Sequence, residues 1–169
     1  MGYREITPEE ITGNPFEKIG RQWMLVTAEK EGKINTMTAS WGGMGVLWRK
    51  NVVFVFIRPQ RYTKEFVDAN EKFTLSFYGP EHKEKLSYFG TVSGRDENKI
   101  EKAGFTPASF GGAPAFDQAE LVLTCKKLYA QEIDSGCFMK DSGCDAECYP
   151  SKDYHTMYVA EVETAFVKE

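Results

Sequence analysis

The densest run of potentially reactive positions is Asn35-Thr-Met-Thr-Ala-Ser-Trp-Gly-Gly-Met-Gly. Small hydroxyl side chains lead directly into glycines. Small residues let a ligand lie against the backbone, and hydroxyls with exposed N–H groups can bond the rim of a planar heterocycle or a phosphate. A threonine-rich strand ending in a flexible turn has the same composition, because threonine is a good strand former. The glycines lack the GxGxxG spacing, and no Lys-Ser or Lys-Thr follows them, so neither a dinucleotide fingerprint nor a P-loop is present.

A second candidate is Arg58-Pro-Gln-Arg-Tyr-Thr, which follows the apolar run Val52 to Ile57 and precedes a predicted helix. Arginine makes charge-assisted, often bidentate bonds to phosphate. A helix N-terminus adds N–H donors and a favourable dipole. Solvated arginines paired with surface carboxylates would read the same way. Cys137, Cys144, Cys148 and His155 offer four soft ligands, but six, three and six residues separate them. No CxxC occurs, and the usual zinc patterns are not met, so no metal site is assigned. A redox pair among these cysteines and a zinc-dependent binding module are the other readings of this stretch. Cys125 lies in an alternating strand and is expected to be buried. His82, in a charged helix, is expected at the surface. His155, a lone histidine among tyrosines, fits a structural hydrogen-bonding group or a functional one.

Most elements that must position these residues are strands. Trp23 to Thr27, a turn at Glu31-Gly32-Lys33, and Ile34 to Ser40 predict a hairpin. Val52 to Ile57 is continuously apolar, as expected of a strand covered on both faces. Phe73, Leu75 and Phe77 alternate with Thr74, Ser76 and Tyr78, the period of a strand with two unlike faces. Leu121, Leu123 and Cys125 alternate within 119–132, and Tyr158, Ala160 and Val162 within 156–168. Between strands, Thr63 is a predicted N-cap, with Phe66 and Val67 facing inward and Asn70 near the helix end. A short helix is predicted from His82 to Phe89, with Leu86 and Phe89 packing inward. Another follows the polar turn at Ser93 and stops at Gly104. The polar stretch from Asp134 to Asp153 reads as a long loop. Several strands with few helices predict a closed or partly open β-barrel, and the absence of regular strand–helix alternation argues against a doubly wound sheet.

Composition narrows the function. The chain has 169 residues, enough for one domain with its own core, 1–169. Hydrophobic residues are 41%, charged residues 27% and aromatics 14%. Net charge is −4 and the pI about 5.4, which gives no basic excess for nucleic acid or an anionic membrane. No apolar run is long enough to span a bilayer, and no secretory signal is visible at the N-terminus. A cytoplasmic location with reduced cysteines is expected.

Taken in order, NTMTASWGGMGVLW, FIRPQRYTKEF, FTLSFYG, GTVSGRDENKIEKAGF and HTMYVAEV make the chain, over 15–168, resemble the flavin reductase-like family. The ordered set carries the resemblance rather than any single piece. It implies a mainly β fold with short helices, the FMN-binding split β-barrel of Greek-key type. It also implies non-covalent FMN, a homodimer, and flavin near the subunit interface. Carried over residue by residue, Met37, Thr38, Ala39, Ser40 and Trp41 would border the isoalloxazine ring, with Asn35 in the same set. Arg58, Arg61, Tyr62 and Thr63 would hold the ribityl phosphate, and Ser93, Gly94 and Arg95 would lie near the flavin. Trp41 or Trp48 would stack on the ring, although core packing is the other role for each and the favoured one for Trp48. His155 would help hold a nicotinamide and is the candidate catalytic residue. The activity implied is an NAD(P)H-dependent oxidoreductase that passes electrons from FMN to free flavin, a ferric chelate, oxygen or a protein. The alternative is a flavoredoxin-like electron carrier reduced by a protein partner.

Overall fold

The computed structural model describes residues 2–169. Among them, one eight-stranded antiparallel sheet carries the fold, with a two-stranded hairpin against it. The strands are β1 (Tyr3–Ile6), β2 (Met24–Lys30), β3 (Lys33–Ala39), β4 (Gly42–Leu47), β5 (Lys50–Ile57), β6 (Lys72–Phe77), β7 (Pro107–Phe110), β8 (Ala113–Phe116), β9 (Leu121–Glu132) and β10 (Thr156–Lys168). The main sheet runs β3-β2-β6-β9-β10-β5-β4, with β1 also pairing β10. It is mostly β with short helices and it is not closed: β3 and β4, consecutive in the chain, lie at opposite edges, which makes it a split barrel. After β5 the chain crosses to β6, and β9 and β10 later fill the gap.

Strand periodicity builds two cores at once. From β2, β6 and β9, the side chains of Met24, Val26, Phe73, Leu75, Phe77, Leu121 and Leu123 point into the barrel, where Val53, Val55, Ile57 and Tyr158 meet them. Leu25 and Val122 point the other way, into a second cluster with Leu86, Phe89, Phe105, Phe110 and Phe116. Burial of each such side chain contributes about 1.5–3 kcal/mol. Two hydroxyls on this outer face are spent on backbone. Thr74 Oγ1 donates to the Pro114 carbonyl at 2.6 Å and Thr124 Oγ1 to the Phe110 carbonyl at 2.8 Å, tying the β7–β8 hairpin down.

Five α-helices lie along the chain among the described residues, beside three short 3-10 turns: α1 (Pro15–Glu17, continued by a π-helical turn over Lys18–Gln22), α2 (Tyr62–Ala69), α3 (Lys83–Thr91), α4 (Lys99–Ala103) and α5 (Cys144–Cys148). Leu86 and Phe89 are buried as expected, and so are Phe66 and Val67. Asn70 closes α2, and Gly104 ends α4.

Several expectations need correction. The glycines after Trp41 do not form a turn. They are β4, paired to β5 from Gly42↔Val55 to Leu47↔Lys50. Glycine is needed there because a Cβ at Gly42 would stand 2.6 Å from the Phe54 carbonyl oxygen. The turn lies instead at Trp48-Arg49, both with positive φ (52° and 61°), as a two-residue hairpin loop demands. Trp48 is therefore 55% exposed at a hairpin tip rather than packed in the core. Arg61, not Thr63, is the N-cap of α2. The His82 side chain is mostly covered (17% exposed), with its ring against Tyr78 and Phe105. In β5, Val53, Val55 and Ile57 are buried while Phe54 and Phe56 are only half-buried, so one face of that strand stays partly open.

Candidate functional site

The open ends of β3 and β5 and the start of α2 frame a cleft of about 220 Å³. Its lining holds Met37, Thr38, Ala39, Ser40, Trp41, Arg58, Arg61 and His155 from the expected set, together with Phe56. Alternation along β3 divides the labour. Met37 and Ala39 belong to the barrel core and also border the cleft. Thr38 and Ser40 lie on the opposite face. Thr38 Oγ1 is already committed, donating to the Leu86 carbonyl of α3 at 2.5 Å. A groove of about 460 Å³, running along Phe16, Ile19 and the glycines of β4, meets the cleft at Ser40 and Trp41. The cleft alone is smaller than the ~300–1,000 Å³ typical of small-molecule sites.

The charges in this cleft are unequal. Arg58 leaves the end of β5 and is fully engaged by the 134–153 segment. Nη1 pairs with Asp153 Oδ2 at 2.7 Å, Nη2 donates to the Cys148 carbonyl at 2.8 Å, and the guanidinium lies 5.1 Å from the Tyr149 ring centroid. Hydrogen bonds from Gln60, then from Arg58, hold the Asp153 carboxyl below its ordinary range. Arg61 is half-buried at the N-cap of α2 and donates from Nη1 to the Gly90 carbonyl at 2.7 Å. No carboxylate lies within ion-pairing distance of it among the described residues. Burial, then the nearby Arg58 charge, lowers its pKa. Lys99 is a second cation without a carboxylate partner among the described residues. It donates to the Phe89 and Val92 carbonyls at 2.9 and 2.7 Å, and burial followed by the Arg61 charge brings it down to about 8. The C-terminal carbonyls of α3 thus hold two cations, as the negative end of a helix favours.

His155 sits where β10 begins. Its ring centroid is 5.2 Å from that of Trp41 and 6.5 Å from that of Phe56, and Nδ1 is 2.8 Å from the Tyr149 hydroxyl. Burial, then the Arg58 charge, lowers its pKa to about 4, with Asp153 opposing, so the ring is neutral near pH 7.

The remaining expected residues do not share this cleft. Asn35 and Thr63 are 3% and 1% exposed and bond each other, Nδ2 donating to Oγ1 at 2.9 Å, which locks α2 onto β3. Gly94 and Arg95 line a larger cavity of about 760 Å³ beside the β2–β3 turn, which Asn35 also borders. Gly94 must be glycine, since a Cβ would stand 2.1 Å from Asn35 Oδ1. Arg95 is paired with Glu65 and covers the Tyr62 ring, 4.5 Å from its centroid, with Lys33 also against that ring at 5.1 Å. Ser93 Oγ accepts from the Arg95 amide. Each space holds a cation with no carboxylate partner among the described residues, Lys99 in the larger and Arg61 in the smaller. Lys99, however, stands among Asp96, Glu97 and Glu101, whereas Arg61 stands at a helix N-terminus in a lining without carboxylates. The smaller cleft is therefore the better ligand site. No group of three or more His, Cys, Asp or Glu able to hold a metal occurs among the described residues. No helix among them is long and apolar enough to cross a membrane. Phe56, Tyr149 and Asp153 were missed from the sequence. Phe56 was hidden in a uniformly apolar run, and the other two lie in a segment with no local pattern.

The chain is thus an open antiparallel split barrel with a cationic, aromatic-walled cleft at its split. The family model described as flavin reductase like domain matches residues 16–169, and the chain belongs to that family. Among solved structures it is similar to a flavoredoxin from Methanosarcina acetivorans (21% identity, TM-score 0.70, covering 88% of this chain and 69% of that one). It is also similar to an FMN-binding domain of a flavin reductases-like enzyme from Shewanella baltica OS155 (17% identity, TM-score 0.71, 98% and 77%). A third likeness is the styrene monooxygenase flavin reductase from Pseudomonas putida S12 (17% identity, TM-score 0.65, 88% and 80%). A search of curated protein sequences finds no match.

Proposed function

We propose that the chain binds FMN non-covalently in the Arg61 cleft and works as an NAD(P)H-dependent flavin or ferric reductase. The observation that carries this reading is Arg61, a half-buried guanidinium at a helix N-terminus with no carboxylate partner among the described residues. A charge so placed fits a phosphate, and the first N–H groups of α2 beside it lack intrahelical partners. The rest of the lining fits a planar ring. The β3 backbone at Met37 to Trp41 offers N–H and C=O groups to polar ring edges, and Trp41 and Phe56 supply flat apolar walls.

When bound, FMN supplies the hydride and single-electron chemistry, and the protein supplies binding and orientation. Arg61 anchors the anionic end. Arg58, already neutralised by Asp153, shapes the wall rather than adding free charge. His155, neutral and beside Trp41, presents a hydrogen-bonding edge to a nicotinamide carboxamide. Asn35, Tyr62, Thr63, Ser93, Gly94 and Arg95 support the site from behind by fixing α2 against β3.

We further propose a homodimer that covers the β4 side, where Phe16 (86%), Val46 (73%) and Trp48 (55%) are exposed. Exposed side chains of this size concentrated on one side mark an interaction surface. Sedimentation equilibrium is expected to give two chains per particle, and a monomer at micromolar concentration would end this part of the reading.

The likeness to flavoredoxin supports a second reading, an FMN electron carrier reduced by a protein partner. One experiment tests both. Purified protein incubated with FMN should show bound-flavin absorption bands that bleach when NADH or NADPH is added without oxygen. Bands that persist favour the carrier. No bound flavin removes both readings.

A further inference from the structure

Tyr149 reaches the cleft from the turn after α5, in the segment that carries no recognisable motif. Its side chain is 6% exposed, and its hydroxyl lies 2.8 Å from Nδ1 of His155, itself 8% exposed. A hydroxyl and an imidazole nitrogen can share a hydrogen in either sense. Two observations choose between them. The Tyr149 hydroxyl has no other acceptor among the described residues, and a buried O–H without an acceptor is costly. The His155 ring is neutral, so it carries one hydrogen. With Tyr149 donating to Nδ1, that hydrogen sits on Nε2. Nε2 has no protein partner among the described residues, is not sealed from solvent, and belongs to a ring that lines the cleft.

We propose that Tyr149 is a positioning residue that holds His155 as its Nε2–H tautomer, so that the cleft offers a neutral donor to an uncharged carbonyl, such as a carboxamide. The inference rests on the flavin reading of the cleft for the identity of that ligand. The opposite tautomer would turn a lone pair toward the carbonyl and repel it. A protonated ring would add a third positive charge beside Arg58 and Arg61. The charged or titratable groups facing His155 are Tyr149 and Asp153 from the 134–153 segment, Arg58 from the end of β5 and Arg61 from the start of α2. Tyr149 is itself pinned, because Arg58 lies over its ring and also holds the Cys148 carbonyl next to it. The long segment between β9 and β10 thereby sets the protonation geometry of a residue on β10.

The test uses imidazole 15N resonances of the full chain with FMN added. The chain has two histidines, so His155→Asn assigns the spectrum. In the unmodified protein, His155 should be the Nε2–H tautomer from about pH 5.5 to 8, because burial, and then the Arg58 charge, hold its pKa below that range, and a hydrogen bond donated to the neutral ring acts in the same direction. In Tyr149→Phe, which keeps the ring and removes only the hydroxyl, the Nδ1–H form should appear and the titration should move up toward the ordinary histidine range. FMN affinity should stay within about twofold, and the KM for NADH should rise roughly three- to tenfold, the range expected for one lost hydrogen-bond partner. An Nδ1–H tautomer in the unmodified protein, or an unchanged tautomer and titration in Tyr149→Phe, overturns the proposal. The tautomer readout does not need bound flavin. Failure of the flavin reading would appear separately, as no FMN bound by the unmodified protein.

Discussion

Arg58 and Arg61 flank one cleft from the same strand–helix junction, yet they meet opposite surroundings. Arg58 faces the 134–153 segment and is matched by a carboxylate, a carbonyl and an aromatic ring. Arg61 faces the C-terminal end of α3 and, among the described residues, is matched only by a carbonyl, with Lys99 nearby adding more positive charge. A compensated cation holds structure together. A cation left with an incomplete partner set keeps most of its attraction for an incoming anion. The difference teaches that a motif of two arginines need not be two ligand contacts.

The comparison is broken most directly by Arg61→Ala. Removing a charge-assisted contact should weaken FMN binding roughly 10- to 100-fold, in line with ~1.5–3 kcal/mol for hydrogen bonds to charged groups. Riboflavin, which lacks the phosphate, should lose little. Fluorescence titration of both ligands decides the matter, and equal losses would mean that Arg61 does not read the phosphate.

A smaller effect is expected from Asp153→Asn, which removes the partner of Arg58. FMN affinity should change by no more than about threefold, because the pair is partly exposed and structural. Amide hydrogen exchange should accelerate over 144–153, where Cys148 and Tyr149 lose their anchor. A large loss of FMN affinity without faster exchange would make Arg58 a ligand contact and erase the distinction.

The smallest effect concerns pH. His155 has an ordinary unfolded pKa near 6.5 and a folded value of about 4. Between those values the unfolded chain binds more protons, so stability from this group is fully present above about pH 6.5 and is lost as pH falls toward 4. Urea midpoints at pH 5 and pH 7 should differ less in His155→Asn than in the unmodified protein. Equal differences would show that burial and the Arg58 charge do not depress this histidine.

Much of the scaffold was legible because strand periodicity is local. The alternation of Phe73, Leu75 and Phe77, and that of Leu121, Leu123 and Cys125, place those side chains in the barrel as read. The helix around Leu86 and Phe89 and the stop at Gly104 were legible for the same reason. The β4 strand was not, because glycines that look like a turn are required by close approach to the Phe54 carbonyl, a contact between strands. Trp48 was misplaced for a related reason: with β4 read as a turn, its position at a hairpin tip could not be seen. The β7–β8 hairpin, of four residues per strand, carried too short a pattern to read.

The sequence by itself determined the residue types of the cleft, the family resemblance they carry, and the strands that bear them, because those depend on order and period along the chain. Only the tertiary structure decided which of these residues meet. It joined Arg58 to Asp153 and His155 to Tyr149, withdrew Asn35 and Thr63 into a mutual hydrogen bond, and left Arg61 without a carboxylate among the described residues. The reason is physical. The charge and protonation state of a side chain depend on what burial places within a few ångströms, and partners such as Arg58 and Asp153 are brought together only when separate elements fold onto one cleft.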